Sequence, residues 1–192
     1  MLRLPLAAAL AALFALPAAA QVTTTAETDA SVVPADAPTW LSMEEAVAKA
    51  RADSTTLLVH TYATWCGWCA RFDREVYTDD SVQAYLKDRF TLTRVDLEGQ
   101  QVVPFFEHSV PMATLGQAFG VTGTPTTVFV GPDGQLLTKL PGYTDVATFL
   151  QVLRYVHEDE YENGSFRDYV NRLNGTGMPA LQQAAPDVAP GG

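Results

Sequence analysis

Residues 65–69 read Trp-Cys-Gly-Trp-Cys, and the apolar, β-branched run Thr56–Tyr62 precedes them. Such a run is typical of a buried central strand, and the residues from Cys66 to about Val76 are expected to form the helix that follows. Two intervening residues close a loop far too small to stabilise a domain by restricting its unfolded chain. Because Cys66 and Cys69 are the two cysteines of the chain, we interpret them as a pair kept for chemistry.

The place of the pair at a strand–helix junction predicts a role for each cysteine. At the start of a helix, Cys66 faces unpaired backbone N–H groups and the positive end of the helix dipole, and both favour the thiolate. The thiolate is the nucleophile of disulfide exchange. Cys69 lies one turn further along and is expected to be more shielded. We therefore predict that Cys66 attacks a partner's disulfide and that Cys69 resolves the mixed disulfide.

Two other uses of the cysteine pair compete with redox chemistry. A zinc site needs two further ligands, and the three histidines of the chain, His60, His108 and His157, show no zinc-finger spacing to the pair. A purely structural disulfide is disfavoured by the short loop. We therefore expect no metal ligand set and no cofactor other than the redox-active disulfide of the pair.

The ends of the chain predict export. Residues 1–20 run from a basic start through an apolar stretch to small residues, which is the order of a secretory signal peptide. The apolar stretch is short for a bilayer span, so we expect no stable membrane insertion after cleavage. Residues 21–38 are expected to be a flexible leader because they lack a hydrophobic period, and residues 175–192 a disordered tail because they are rich in Gly, Ala and Pro. The expected location is the periplasm.

The charge of the chain argues against one class of partner. The formal net charge is -10 at pH 7. Binding nucleic acid requires a basic face that displaces counterions from phosphates. Nucleic acid is therefore excluded as an expected partner, and the acidic surface is interpreted as serving solubility.

Strands and helices alternate in a way that predicts one α/β domain over residues 39–174. The order implies a mixed central sheet covered by helices on both faces. Residues 97–112 show no clear period and are interpreted as a surface insertion whose aromatic residues Phe105 and Phe106 are exposed. The predicted elements are helices within 42–51, 66–76, 82–89, 113–119, 145–156 and 166–173, and strands within 56–62, 90–96, 126–130 and 135–140.

The motif Trp65-Cys66-Gly67-Trp68-Cys69 resembles the active-site segment of the thioredoxin family, usually written W-C-G-P-C. Gly123-Thr124-Pro125-Thr126 is similar to that family's second landmark, and the resemblance spans about residues 40–156. It implies a thioredoxin-like fold in which Pro125 is cis and lies against the Cys66 sulfur. It also implies that Thr124 offers backbone hydrogen bonds to a bound peptide. Substrate contacts are expected at Trp65, Gly67, Trp68, Thr124 and Pro125.

Two departures from the family pattern carry hypotheses of their own. The family has a buried acid six residues before the first cysteine; His60 stands there in this chain, and Arg94 is expected to face it where a Lys is usual. His60 is interpreted either as a proton relay with Arg94 or as a hydrogen-bonded core residue, and the Arg94 charge favours its neutral form. Trp68 replaces the family's proline. We interpret Trp68 as an apolar platform for a partner and Trp65 as a shield.

A narrower resemblance concerns the residues after the predicted hairpin. Three segments are similar to periplasmic thioredoxins associated with bacterial sulfur oxidation, the SoxW type. They are Leu140-Pro141-Gly142-Tyr143, the residues Phe149–Val156, and Ser165-Phe166 followed by Tyr169. This resemblance implies an oxidoreductase that takes electrons from a membrane thiol carrier and reduces disulfides of exported partner proteins.

Three alternatives to a reductase stay open on sequence alone. The first is a disulfide oxidant or isomerase. Strong oxidants of this fold resemble one another in a large helical insertion and often in a His between the cysteines. This chain is short and has Gly67-Trp68 between its cysteines, which favours a reductase. A copper-binding assembly chaperone on the same fold is the second. A binding module that keeps the cysteines without using them is the third.

Overall fold

The computed structural model describes residues 34–175, and the expected signal peptide, most of the leader and nearly all of the tail lie outside the described residues. Over the described residues, no helix combines the length and the apolar character needed to cross a bilayer. The helices are α1 (Met43–Asp53), α2 (Gly67–Phe72), α3 (Asp80–Leu86), α4 (Met112–Ala118), α5 (Val146–His157) and α6 (Phe166–Gly175), with a π-helical turn at Asp73–Tyr77 and a 3-10 turn at Glu160–Glu162. The strands are β1 (Thr56–Tyr62), β2 (Phe90–Asp96), β3 (Val102–Phe105), β4 (His108–Pro111), β5 (Thr126–Val130) and β6 (Leu136–Pro141).

Four strands form a mixed sheet in the order β2-β1-β5-β6. Strand β1 pairs in parallel with β2 and antiparallel with β5, and β6 returns antiparallel along β5. The parallel pair is joined by a crossover that contains α2 and α3, as a parallel connection requires. This arrangement confirms the predicted mixed α/β sheet.

Each face of the sheet carries its own layer of helices, which also agrees with the prediction. Alternate residues of β1 point to opposite faces, so Leu58 joins a cluster with α3 and α5, and Leu57 and Val59 join a cluster with α1 and α4. Because both faces are covered, the middle of β1 is buried. The start of α2 therefore lies at the carboxyl end of a strand with little freedom to move.

Local sequence explains where α1, α3 and α5 begin. Ser42 and Glu45 form a reciprocal capping box at the start of α1. Asp79 accepts backbone N–H bonds at the start of α3, and Asp145 accepts one from Thr148 at the start of α5. The helix that begins at α2 widens into the π-helical turn at Asp73–Tyr77, and Tyr77 ends up buried.

The segment expected to be an irregular insertion is instead a hairpin of β3 and β4. Its tip aromatics are packed, which corrects the expectation that they are exposed. Phe105 meets Phe119 of the core edge-on at 5.4 Å between ring centroids, and the Arg51 guanidinium lies 4.9 Å from the centroid of the Phe106 ring. A Cβ at Gly134 would lie 2.9 Å from the Phe106 ring, so the hairpin tip also packs against the β5–β6 turn.

Candidate active site

Cys66 and Cys69 form a disulfide at the start of α2, with an S–S distance of 2.07 Å and Cα atoms 5.3 Å apart. Cys66 is the N-cap residue, and its sulfur accepts a hydrogen bond from the backbone N–H of Cys69 at 3.1 Å. The exposed fractions are 6% for Cys66 and 3% for Cys69. The helix start thus presents a backbone donor to the sulfur predicted to attack, and Cys66 is slightly the more accessible of the two.

The two tryptophans of the motif are both on the surface. Trp65 is 73% exposed and Trp68 is 55% exposed. The Trp65 indole N–H donates to the Glu98 carboxylate at 3.1 Å, which holds the ring outward at the loop after β2. The interpretation of Trp65 as a shield is therefore not supported by its position, because most of the ring faces solvent rather than covering the core.

Trp68 belongs to a cluster of aromatic and charged side chains beside the disulfide. Its ring lies 5.4 Å from that of Tyr143, and the Arg71 guanidinium stands over both rings, at 5.3 Å and 4.9 Å. Glu75 completes the cluster, since its carboxylate accepts bonds from Arg71 and from the Tyr143 hydroxyl, each at 2.8 Å. The pKa of Glu75 is lowered by these bonds, first by that from Tyr143. Contacts with Tyr143 and Arg71 therefore hold the Trp68 side chain in place. The proline that the thioredoxin family has at this position would instead restrict the backbone.

The second landmark of the sequence lies at the start of β5, and the peptide bond between Thr124 and Pro125 is cis. The Pro125 carbonyl accepts a hydrogen bond from the Gly142 N–H at 2.8 Å. The Thr126 carbonyl accepts one from the Thr61 hydroxyl of β1 at 2.9 Å. The first bond ties the segment to the residue after β6, and the second ties it to the strand that leads into Cys66. The contact expected between Pro125 and the Cys66 sulfur stays a prediction.

A buried polar group lies beneath the redox helix. His60 is fully buried and pairs with Arg94 across β1 and β2. The Arg94 guanidinium donates to Oδ2 of Asp73 at 2.8 Å, and Oδ1 of Asp73 is 3.9 Å from Nε2 of His60. Neither Nε2 of His60 nor Oδ1 of Asp73 has a hydrogen-bond partner among the described residues. The two predicted relay residues are thus brought together, with Asp73 between them.

Burial sets the protonation states of these groups. Desolvation, and secondarily the Arg94 charge, holds the pKa of His60 well below its ordinary value, so His60 is neutral at pH 7. Desolvation raises the pKa of Asp73, although the nearby Arg94 charge works in the opposite direction. The hydroxyl of Tyr77 is 3.3 Å from Nδ1 of His60, and burial raises its pKa as well. A carboxylate with a raised pKa beside a neutral imidazole can accept and return a proton.

Sequence reasoning missed Asp73. One signal was present, because Asp73 follows Cys69 by four residues and so lies on the same side of a helix. The ion pair with Arg94 depends on the crossover from α2 to β2, which no local pattern reveals. Within residues 34–175, no group of three or more His, Cys, Asp or Glu side chains is placed to hold a metal ion.

Comparison with known proteins identifies similar sequences and folds. A family model described as a thioredoxin-like domain matches residues 43–157. A thiol:disulfide interchange protein DsbD from Yersinia pestis is 33% identical over 107 residues, which cover 55% of this chain and 16% of that relative. The chain therefore spans a small part of the length of the curated relatives that it matches.

Two solved structures extend the comparison to the fold. A thioredoxin from Thermus thermophilus is similar with a TM-score of 0.51 and 28% identity, over 61% of this chain and 85% of that one. A thioredoxin-fold protein from Helicobacter pylori is similar with a TM-score of 0.52 and 22% identity, over 64% of this chain and 82% of that one. At that identity, the second likeness concerns the fold.

Proposed function

Because this chain belongs to the thioredoxin-like domain family, we propose that it is an exported thiol–disulfide oxidoreductase that reduces disulfides in partner proteins. Cys66 is the nucleophile and Cys69 the resolving cysteine. The observation that supports this proposal is the Cys66–Cys69 disulfide at the first turn of a helix, with the Cys69 N–H bonded to the Cys66 sulfur.

The proposed reaction uses the two sulfurs in sequence. In the reduced protein, the Cys66 thiolate attacks one sulfur of a partner's disulfide, the partner's S–S bond breaks, and one partner thiolate leaves. The Cys69 thiolate then attacks the Cys66 sulfur and releases the second partner thiol. Two electrons pass from the cysteine pair to the partner, and the Cys66–Cys69 disulfide forms. A donor dithiol must reduce this disulfide before the next cycle.

We propose that Asp73 and His60 handle the proton of Cys69. Cys69 must lose a proton before it attacks, and Asp73 follows it by four residues with one carboxylate oxygen unpartnered among the described residues. The raised pKa of Asp73, caused by burial, suits a group that takes up a proton. Arg94 holds the other oxygen, and His60 faces the free one.

Contacts with the partner are proposed around the motif and the second landmark. Trp65, Gly67 and Trp68 border the disulfide, and the exposure of both tryptophans supports an apolar platform. Thr124, which precedes the cis Pro125, is proposed to pair with the backbone of the partner's peptide.

We favour reduction over oxidation as the working direction. Strong oxidants of this chemistry stabilise their reduced form, which requires extra stabilisation of the attacking thiolate. Here the charge nearest the motif on α2, that of Arg71, is engaged by Glu75 and by two aromatic rings. Gly67 and Trp68, which separate the cysteines, carry no positive charge.

The place of action and the partners follow from the same proposal. We propose the periplasm, with residues 1–20 as the signal peptide, a membrane thiol carrier as electron donor, and exported proteins as acceptors. Assignment to the SoxW-type branch belongs to this proposal and rests on the residues after β6. The DsbD relative bears the name of a thiol:disulfide interchange protein, which agrees with thiol–disulfide exchange as the proposed activity.

Insulin reduction tests the activity directly. With dithiothreitol as donor, we expect the wild-type chain to accelerate insulin precipitation and Cys66→Ser to show only the background rate. In a separate mixture without dithiothreitol, Cys69→Ser that has been reduced beforehand should trap insulin as a mixed disulfide through Cys66, visible by mass spectrometry. Ser109→Ala, an exposed change on β4, serves as the control and should match wild type. Equal rates for wild type and Cys66→Ser would refute the proposed activity.

The direction of electron flow is measured by equilibrium with glutathione. A reductant should have a reduction potential near that of thioredoxin, about -270 mV, whereas a strong oxidant lies near -120 mV. A value close to the second figure would replace the proposed reductase with an oxidant that uses the same two cysteines.

A further inference from the structure

An apolar groove lies next to the aromatic cluster of the active site. It has a volume of about 580 Å³, which is within the range of sites that bind small molecules or side chains. Its walls come from four parts of the fold: the end of β6, the loop that follows, the first turn of α5, and α6 with the residue before it. The residues that the argument uses are Leu140, Pro141, Tyr143, Thr144, Phe166 and Val170.

Thr144 gives the groove an unsatisfied polar group. The residue is 5% exposed, and its hydroxyl oxygen has no hydrogen-bond partner among the described residues. A buried hydroxyl without a partner is costly to a folded protein. The site therefore suits an occupant that is mainly apolar and carries one polar group.

Tyr143 connects the groove to the disulfide. Its ring lies 5.4 Å from that of Trp68, one residue before Cys69, and the same side chain lines the groove. The Gly142 N–H is bonded to the Pro125 carbonyl at 2.8 Å, so the loop that carries Tyr143 is fixed to the segment proposed to hold a partner's backbone. A peptide bound beside Cys66 can therefore extend into the groove without leaving the surface.

The wall formed by β6 favours a peptide as the occupant. Strand β6 is at the edge of the four-stranded sheet, and an edge strand offers unpaired backbone groups to an extended chain. Leu140 and Pro141 of this strand lie in the groove wall. An extended segment supplies both a backbone polar group for Thr144 and a side chain for the apolar walls formed by Phe166 and Val170.

We propose that this groove is a specificity subsite for partner proteins. It binds an apolar side chain, Leu or Phe in type, of the extended segment that carries the partner's reactive cysteine, while a backbone group of that segment pairs with the Thr144 hydroxyl. This inference rests on the proposed function, because the segment is held by the mixed disulfide with Cys66. The chemistry at sulfur is unchanged; the groove selects which disulfides react fastest.

A peptide series tests the subsite. The probes are disulfide-linked homodimers of a nine-residue peptide with a central cysteine and, at each other position in turn, Leu or Asp in a Gly/Ser background. The reduced protein is mixed with each dimer, and the release of peptide thiol is followed. We expect Leu at one or two positions to increase kcat/KM about tenfold over Asp at the same position, since one well-placed apolar group gives discrimination of this size.

Three variants locate the preference. Thr144→Val removes the unpaired hydroxyl at nearly constant shape, so it should leave the protein equally or more resistant to urea and yet lower kcat/KM for the preferred dimer about threefold to tenfold. Val170→Asp and Phe166→Ser should abolish the preference for Leu. Val102→Asp is the matched control, because Val102 is 65% exposed on β3, and it should behave as wild type.

A small disulfide separates this inference from the proposed function. Oxidised glutathione carries no apolar side chain of the Leu or Phe type for the groove, so all four variants should reduce it at the wild-type rate. Equal rates for the Leu and Asp dimers, or a Leu preference that survives in Val170→Asp and Phe166→Ser, would overturn the subsite and leave the reductase in place. Loss of glutathione reduction in the groove variants would also overturn it, because the effect would then lie at the sulfurs. Failure of the wild-type protein on every disulfide would overturn the proposed function itself.

Discussion

Asp73 and Arg94 form a buried ion pair beneath the redox helix, with Oδ2 of Asp73 accepting a 2.8 Å hydrogen bond from the guanidinium. The side chains expose 4% and 10% of their surface. The guanidinium also stands over the rings of Tyr62 and Trp40, at 4.3 Å and 5.3 Å from their centroids. The pair joins the helix of the cysteines to strand β2.

Removing one partner of this pair should destabilise the protein more than removing both. Arg94→Leu leaves the Asp73 carboxyl buried without its cation, and we expect a loss of about 3–5 kcal/mol in the free energy of unfolding. The double variant Asp73→Leu with Arg94→Leu should recover most of that loss. Urea unfolding at pH 7 measures both. A double variant that loses as much stability as Arg94→Leu, or more, would contradict this account of the pair.

His60 should make the protein sensitive to mild acid. Its pKa in the folded state is held well below the ordinary value, first by burial, whereas in the unfolded chain it takes up a proton near pH 6.5. The unfolded state therefore binds more protons below about pH 6.5, and the stability falls by up to about 1.4 kcal/mol per pH unit as the pH drops toward the folded-state value.

Urea unfolding between pH 7.5 and 5 measures this slope, with His60→Gln as the variant that lacks the titrating group. The stability of this variant should depend less on pH than that of the wild-type protein. The raised pKa of Asp73 acts with the opposite sign, since its contribution grows as the pH falls. The comparison with His60→Gln isolates the histidine, and identical slopes in the two proteins would contradict the assignment.

The exposed tryptophans should contribute more to exchange than to folding. Trp68→Ala removes a ring that is 55% exposed, so we expect a loss of stability of about 1 kcal/mol from the contacts with Tyr143 and Arg71. Insulin reduction should fall about tenfold, because the apolar surface beside the disulfide is lost. Trp65→Ala is the variant to compare with Trp68→Ala. Both variants should reduce oxidised glutathione at a rate near that of the wild-type protein. A variant that loses activity on both substrates would place the ring in the chemistry rather than in partner binding.

Gly134 should not tolerate a side chain. Its φ is +91°, and a Cβ there would stand 2.9 Å from the Phe106 ring. Gly134→Ala should therefore cost about 1–2 kcal/mol in strain from the backbone conformation, with a further cost from displaced packing. Gly67→Ala is the matched control, because nothing lies within 4 Å of a Cβ at that position. Thermal unfolding of the two variants should separate them by several degrees.

The sheet was predictable because its strands carry continuous β-branched and apolar runs. Strands β1, β2 and β5 match the predicted ranges, and the caps Ser42, Asp79 and Asp145 mark helix starts that a local pattern can reveal. The positions of Cys66 and Cys69 at a strand–helix junction followed from the same reasoning. These features depend on short stretches of chain, which is why sequence alone was sufficient.

The hairpin of β3 and β4 was not predictable in the same way. Its turn contains Phe106 at a φ of +52°, where Gly or Asn is the usual signal. The conformation is held by contacts with Arg51 and Gly134 from distant parts of the chain. Asp73 escaped prediction for a related reason, because its role depends on Arg94 of another element. Contacts between residues distant in sequence therefore determine both the hairpin and the position of Asp73.

The pairing of His60 with Arg94 across β1 and β2 has a consequence for how the chain folds. In the observed alignment, Arg94 is on the sheet face that carries Asp73. A shift of one residue between the two strands would turn the Arg94 guanidinium to the opposite face, among aliphatic side chains. The buried Asp73 carboxylate would then have no cation beside it. Misaligned pairings are therefore disfavoured electrostatically at the strand that leads into the cysteines, so the charged residues proposed for proton transfer also favour the correct strand alignment.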